Sequence, residues 1–187
     1  MGDTCHPVNG PAVDADCPEE IVWQGRFITA KRRGRWEYVG RARNIRAAVI
    51  LATIEGDVLL VEQYRMPLGR TCLELPAGLI GDDAEGEDDL IAAGRELEEE
   101  TGYRAGKLED LGTFYSSPGM VSESFTLVRA SGLERTGPGG GTDGENITVH
   151  RVPRAQVAAF VAAKRAEGCG VDVRVLMLLA GDILAGE

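Results

Sequence analysis

The apolar positions of this chain fall into short runs separated by turn residues. The strongest runs are residues 46–54 (Arg-Ala-Ala-Val-Ile-Leu-Ala-Thr-Ile) and 57–64 (Asp-Val-Leu-Leu-Val-Glu-Gln-Tyr), with Glu55-Gly56 between them. Two such runs around a Gly-containing pair predict a β-hairpin. Their near-continuous apolar character predicts a sheet covered on both faces. Further strands are predicted at 21–32, 36–43, 71–75, 107–115, 124–130 and 147–152, with Gly34 as the turn residue between the first two. Residues 75–87 carry Pro76, Gly78, Gly81 and Gly86 and read as a loop. Residues 133–144 are dominated by glycine and read as a mobile loop or turn. Residues 154–167 and 173–184 read as helices separated by Gly168 and Gly170. The outline is a mixed sheet with one central helix and two C-terminal helices, an α/β layered domain.

The central helix is predicted over residues 88–101. Asp88 and Asp89 suit its first turn, where acids accept from free N–H groups and face the positive end of the helix dipole. Gly102 suits the position just past its end. Leu90, Gly94, Leu97 and Thr101 share one face. Glu96, Glu99 and Glu100 fall within an arc of about 100° on another, and Glu98 points away from it. Like charges at these spacings repel, by a few tenths of a kcal/mol per pair. Two readings follow: a solvated acidic face, or a site for a hard divalent cation, which binds carboxylate oxygens and keeps some waters.

Composition narrows the classes. The chain has 187 residues and a formal net charge of −10. That length fits one domain with a real core. The charge argues against a general nucleic-acid binder, which would present a basic field. No run approaches the roughly 20 apolar residues of a membrane span. The N-terminal residues lack a basic, then apolar, leader pattern, so a signal peptide is not expected and the cytoplasm is. Cys5, Cys17, Cys72 and Cys169 form no CxxC pair, and free thiols are expected.

Gly81, five residues, Glu87, seven residues, then Arg95-Glu-Leu-Glu-Glu-Glu-Thr-Gly-Tyr103 resembles the signature of Nudix hydrolases at every fixed position. Glu62-Gln-Tyr-Arg65, Leu73-Glu-Leu-Pro-Ala-Gly78, Ser116-Ser-Pro-Gly119 with Pro118, and Glu145-Asn-Ile-Thr-Val149 resemble the ADP-ribose pyrophosphatase branch of that family. The resemblance covers residues 21–152. It implies an α/β fold, a mixed-sheet α/β/α sandwich with a small N-terminal antiparallel β-hairpin subdomain. The expected division is 1–18 as a flexible tail, 19–45 as the hairpin for dimerisation and base binding, and 46–187 as the hydrolase domain.

The resemblance also implies roles. Glu96 and Glu100 would be the main ligands of Mg2+ (or Mn2+), with Glu99 sharing a further ion and the carbonyl of Ala77 as a backbone ligand. Arg95 and Glu87 would orient the glutamates, or form a salt bridge of structural value alone. Glu145 would be general base or extra ligand, with Asp143 or a box glutamate as rivals; as ordinary loop acids, Glu145 and Asp143 would do neither. Trp36 would stack on adenine and Glu37 hydrogen-bond its edge, with Phe27, on the first strand, as a second aromatic face. Trp36 as a dimer-core or hydrophobic-core aromatic is the competing reading. Arg65 and Arg41 would contact substrate, Arg41 being otherwise a solvated strand residue. Met120 and Glu123 would line the terminal ribose. A homodimer with a swapped hairpin is implied, without nucleic acid or membrane. One departure stands out: Gly78 lies nine residues before Glu87, and Gly81 meets the spacing instead, so the loop between Ala77 and Glu87 is enlarged by three residues. The implied reaction is Mg2+-dependent hydrolysis of a nucleoside diphosphate sugar, ADP-ribose first, to AMP and ribose 5-phosphate. GDP-mannose or another sugar nucleotide, and a non-catalytic nucleotide sensor, are the alternatives.

Overall fold

The computed structural model describes residues 14–42, 45–80, 88–142 and 144–185. Strands β4 (Arg46–Ile54) and β5 (Asp57–Arg65) form the expected hairpin. Glu55 (φ 51°) and Gly56 (φ 89°) both adopt positive φ, as a two-residue turn between right-twisted strands requires. The two strands pair only next to the turn, at Thr53↔Val58 and Ile54↔Asp57. They then diverge. β4 continues with β7 (Ala77–Ile80, antiparallel) and β9 (Ser124–Arg135, parallel). β5 continues with β6 (Arg70–Glu74) and β10 (Thr148–Pro153), both antiparallel. β8 (Tyr103–Tyr115) pairs with β9, and the two-residue β11 (Gly170–Val171) lies parallel to β6.

Strand alternation splits the buried residues of β4 and β5 between two cores. Ala48, Ile50 and Leu59 face helix α1 (Asp89–Thr101) through Ala92, Ala93 and Leu97. Val49, Val58 and Leu60 face a second core with Val157 and Val161 of α2 (Val157–Ala166). The stretch before α3 (Leu176–Ala185) adds Val175 to that second core. Burial on both faces explains the unbroken apolar runs.

The α1 ends are built as the sequence predicts. Asp88 caps the start, its carboxylate accepting from Leu90 N–H at 2.9 Å and Ile91 N–H at 3.3 Å. Gly102 ends it at φ 75°, its N–H donating to the Glu98 carbonyl. The glycine-rich stretch after β9, expected to be a mobile loop or a turn, is docked on this helix end. Thr136 and Gly137 donate to the Gly102 carbonyl, Gly140 to the Glu100 carbonyl at 2.8 Å and Gly141 to the Glu99 carbonyl at 3.1 Å. These bonds satisfy carbonyls that a helix leaves without partners in its last turn. Contact is so close that a methyl group on Gly102 would collide with the Gly137 carbonyl.

Other differences from the expected elements have long-range causes. Ala77–Ile80 is a strand rather than loop, because the edge of β4 offers it partners from Arg46 to Val49. β8 starts at Tyr103 and β9 runs on to Arg135 because the two pair along those extensions. The C-terminal helices each begin with a 3-10 turn.

The chain divides into two compact units, 1–44 with 117–123, and 45–116 with 124–187. In the first, the single strand expected at 21–32 is broken at Gly25-Arg26-Phe27. It becomes β1 (Glu19–Gln24) and β2 (Ile28–Arg33), closed by a Gly25 N–H bond to the Ile28 carbonyl, and β3 (Trp36–Arg41) completes a three-stranded antiparallel sheet. The end of the expected tail is packed against this sheet, Arg35 Nε donating to Asp14 at 2.9 Å. Residues 117–123 join the same unit, Val39 donating to the Met120 carbonyl and Ser122 to the Val39 carbonyl.

The docked helix end gives a stability test. Gly102→Ala meets both a positive φ and the Gly137 carbonyl and should cost about 3–4 kcal/mol. Gly112→Ala, at φ 103° but with nothing within 4 Å, meets the backbone cost alone, about 1–2 kcal/mol. Urea unfolding of the two variants compares them; equal losses would mean that the loop does not bear on the helix end.

Candidate functional site

Burial of Leu97 and Thr101 fixes the rotation of α1. Glu98 turns outward and is held by Arg104 in two bonds of 3.1 and 2.8 Å. Glu96 and Glu100 turn toward β7, Glu96 lying over Gly78 and Glu100 against Ala77. Glu100 is 7% exposed, and its Oε2 accepts the Ala77 N–H at 3.0 Å. Burial pushes its carboxyl up to about 8, the charges of Glu96 and Glu145 add to the rise, and the Ala77 N–H and Arg65 oppose it. Glu96 is also raised, first by burial and then by Glu99 and Glu145, against the pull of Arg95. Its carboxyl occupies the space where a side chain at position 78 would begin, so a larger residue there would displace Glu96.

Arg95 Nη1 reaches Glu96 at 3.1 Å and Glu99 at 3.3 Å, tying two of the three glutamates together. Glu145 is oriented by Thr142, whose backbone N–H and hydroxyl donate to Oε2 at 2.7 and 3.2 Å. Its carboxylate lies against Gly141, whose N–H donates to the Glu99 carbonyl, so the structure brings the loop acid to the end of α1 that carries the glutamates. Arg65, expected at substrate, forms a two-pronged pair with Glu74 at 2.6 and 2.8 Å. The sequence reading missed Glu74. Its signal is a lone acid among apolar strand residues, Cys72-Leu73-Glu74-Leu75. Glu87 and Asp143 lie outside the described residues.

Among the described residues, no three acidic, His or Cys side chains form a closed metal cluster. The donor chemistry nevertheless fits a hard cation. All the expected donors are oxygens, four carboxylates and the Ala77 carbonyl, and the ionisation of Glu100 is opposed by burial and then by like charges. A nearby cation relieves that opposition.

The first unit holds a second group of expected residues. Its cavity of about 380 Å3 is lined by Trp36, Tyr38, Arg33, Glu19 and Asp14, with residues of the 118–122 stretch. Tyr38, two residues along the strand from Trp36, shares its face and was findable from that spacing. Phe27 is not on a strand as expected; it sits half-exposed in the β1–β2 turn, with Arg26 over its ring, and does not line the cavity. Arg41 is not a free solvated residue but pairs with Glu123 at 2.5 Å. Glu37 is exposed on β3, and the Met120 side chain is exposed.

The family described as NUDIX domain matches residues 42–168. The ADP-sugar pyrophosphatase of Mus musculus is 38% identical over 174 residues, 80% of this chain and 78% of that protein. The ADP-ribose pyrophosphatase of Bacillus subtilis (strain 168) is 49% identical over 86 residues, 46% of this chain and 45% of that protein. In such higher-identity matches the chain spans about half the relative's length, 45–50%. A crystal structure of an ADP compounds hydrolase shares the fold, with a TM-score of 0.65 at 22% identity, covering 90% of this chain and 93% of that one. With residues 42–168 accounted for by one domain family, the chain belongs to the Nudix family.

Proposed function

We propose that the chain hydrolyses the pyrophosphate bond of a nucleoside diphosphate sugar, with ADP-ribose cleaved to AMP and ribose 5-phosphate. The observation that carries this reading is the buried Glu100 carboxyl, which accepts the Ala77 N–H on the helix face that also carries Glu96. The pyrophosphatase relatives point to the same substrate class. Nudix hydrolases generally use divalent ions, and we assign Mg2+, held by Glu96, Glu99 and Glu100 with Glu145 and the Ala77 carbonyl. When bound, the ion offsets the charge of the pyrophosphate and favours deprotonation of water.

The chain's own residues do the rest. Arg95 tethers Glu96 and Glu99, a role that Glu87 shares. Glu145, aimed by Thr142, takes the proton of the attacking water. Water adds to one phosphorus and the bridging P–O bond breaks, so both products leave as phosphate monoesters. Trp36 stacks on the base, Glu37 holds its edge, Phe27 adds a second aromatic, and Arg41, Arg65, Met120 and Glu123 bind the remainder.

No described helix is long and apolar enough to cross a membrane. We place the protein in the cytoplasm, without nucleic-acid or membrane partners. We also assign it as a homodimer through a swapped N-terminal sheet. Ile21, Val22 and Trp23 are consecutive and each more than half exposed, and Ile28 and Trp36 are exposed as well. Apolar patches of this kind mark interaction surfaces.

Four outcomes test the reading. With Mg2+, kcat/KM for ADP-ribose should exceed that for GDP-mannose, read as phosphate released after phosphatase treatment; equal or reversed values remove the ADP-ribose assignment. Glu100→Gln should lower turnover at least about 100-fold.

In the metal-free protein the folded Glu100 carboxyl titrates near 8, above its unfolded value of about 4.3. Its neutral form is therefore favoured by folding. That contribution is fully present below the unfolded value and is lost as pH rises through the folded one. Between about pH 5 and about pH 9, the Tm of the wild type should fall further than that of Glu100→Gln. Superimposable profiles would refute the burial of an ionisable group there.

Trp23→Glu should convert a dimer into a monomer by light scattering after gel filtration; a wild-type monomer would end the homodimer assignment.

A further inference from the structure

Beyond residue 168, where the domain match ends, the chain places two charged residues next to the site. β11 registers Gly170 on Cys72 and Val171 on Leu73, and Asp172 N–H then donates to the Leu73 carbonyl at 3.0 Å. This short parallel bridge fixes the backbone of Asp172 and Arg174 one residue from Glu74. Asp172 holds the Arg174 guanidinium in two bonds, 2.6 Å at Nε and 2.7 Å at Nη2, and also accepts the Arg174 N–H at 2.8 Å. The guanidinium lies over the Phe125 ring, 5.7 Å from its centroid. Arg174 Nη2 is 3.6 Å from Glu74 Oε2, an ion pair rather than a hydrogen bond.

The result is an alternating row of charges, Asp172, Arg174, Glu74, Arg65, with no net charge. Glu74 is 3% exposed, so its carboxylate depends on these partners. Arg65 closes the row, held by Glu74 in two bonds of 2.6 and 2.8 Å. Two residues after Glu74 comes Pro76, and then Ala77, whose N–H holds the Glu100 carboxyl. The row therefore runs from the C-terminal segment to the glutamate site.

We propose that Arg174, oriented by Asp172, is a positioning residue: it fixes Glu74 and, through Glu74, holds the Arg65 guanidinium in one orientation for an anionic pyrophosphate. This rests on the proposed function for its substrate and not for its geometry. Without Arg174, the buried Glu74 has one arginine left to satisfy it, and Arg65 loses its fixed orientation. Arg65 then meets substrate less often in the right pose, so binding suffers more than the chemical step.

The test uses the full chain, with kcat and KM for ADP-ribose in Mg2+. Arg174→Met should raise KM at least about tenfold, with a smaller effect on kcat. Arg174→Lys should recover part of the loss. Asp172→Asn, which keeps both arginines, should raise KM in the same direction and serves if Arg174→Met does not fold. In an Arg65→Met background, Arg174→Met should change KM by less than about twofold further. Additive effects, or an unchanged KM with a lower Tm alone, overturn the proposal. An activity-independent reading comes from the Arg65 Nε–H resonance by NMR, which should shift and exchange faster in Arg174→Met, or in Asp172→Asn. An unaltered resonance overturns the positioning role whatever the substrate. A wild type inactive on ADP-ribose with an altered Arg65 resonance overturns the substrate and sustains the positioning.

Discussion

The structure around the candidate site depends on one buried carboxyl. Glu100 uses its side chain and its main chain in different directions: the carboxyl accepts from Ala77 of β7, and the carbonyl accepts from Gly140 of the loop after β9. A single residue near the end of α1 thus ties the helix to a strand on one side and to the Glu145 loop on the other. The tie is electrostatically costly. A carboxyl at 7% exposure, facing Glu96 and Glu145, resists ionisation, and a buried charge is tolerated only where partners compensate it. One backbone N–H is a modest compensation. Stability and cation affinity are opposed at this position, since what destabilises the charged carboxylate in the metal-free protein is what a cation would relieve.

The close contacts follow from that tie. β7 approaches α1 near enough for the Ala77 N–H to reach Glu100, and Glu96 lies over Gly78, where no side chain stands in its way. At the other end, the loop must approach near enough for Gly140 and Gly141 to reach the Glu100 and Glu99 carbonyls. Only glycine backbones allow this spacing, because a Cβ at Gly139 would overlap the Thr101 backbone. The loop that carries Glu145 is therefore not loosely tethered. Its glycines serve contact with the helix as much as turning, which is how a loop acid comes to act on acids of α1.

What was legible in the sequence is what local spacing determines. Asp88 and Gly102 cap α1 as expected, because capping depends on the few residues beside it. The Glu96, Glu99 and Glu100 arc follows from helix period, as does the exclusion of Glu98. The β4–β5 hairpin follows from two apolar runs and a turn pair. What was hidden depends on partners far along the chain. Ala77–Ile80 looks like a loop until β4 offers its edge. Spacing shows three glutamates as equals, and only tertiary packing makes Glu100 the buried one. The expected strand 21–32 breaks where Phe27 leaves the ladder, although period two gives no warning there. Arg174 is one hundred and nine positions from Arg65 in the sequence, and only β11 brings the two to a common carboxylate.

The two units stand on different physical footings. The larger one buries β4 and β5 on both faces, between α1 and the second core. The smaller one has a three-stranded sheet in which β1 is exposed at every position and β2 buries only Thr29. What crosses between its strands is polar: Lys31 to Glu19 at 2.9 Å, Arg32 to Glu20 at 2.6 Å, Tyr38 to Glu19 at 2.6 Å. Exposed ion pairs contribute about 0–1 kcal/mol each, and small sheets need a covered apolar face to persist. Ile21, Val22 and Trp23 are the residues with which such a face is made, and within the unit they remain uncovered. Strong β-formers placed where they bury nothing make sense when the burial is completed by another surface. In the proposed homodimer a second copy presenting the same sheet would supply one of matching character, and would couple the folding of the unit that carries Trp36 and Glu37 to its own association.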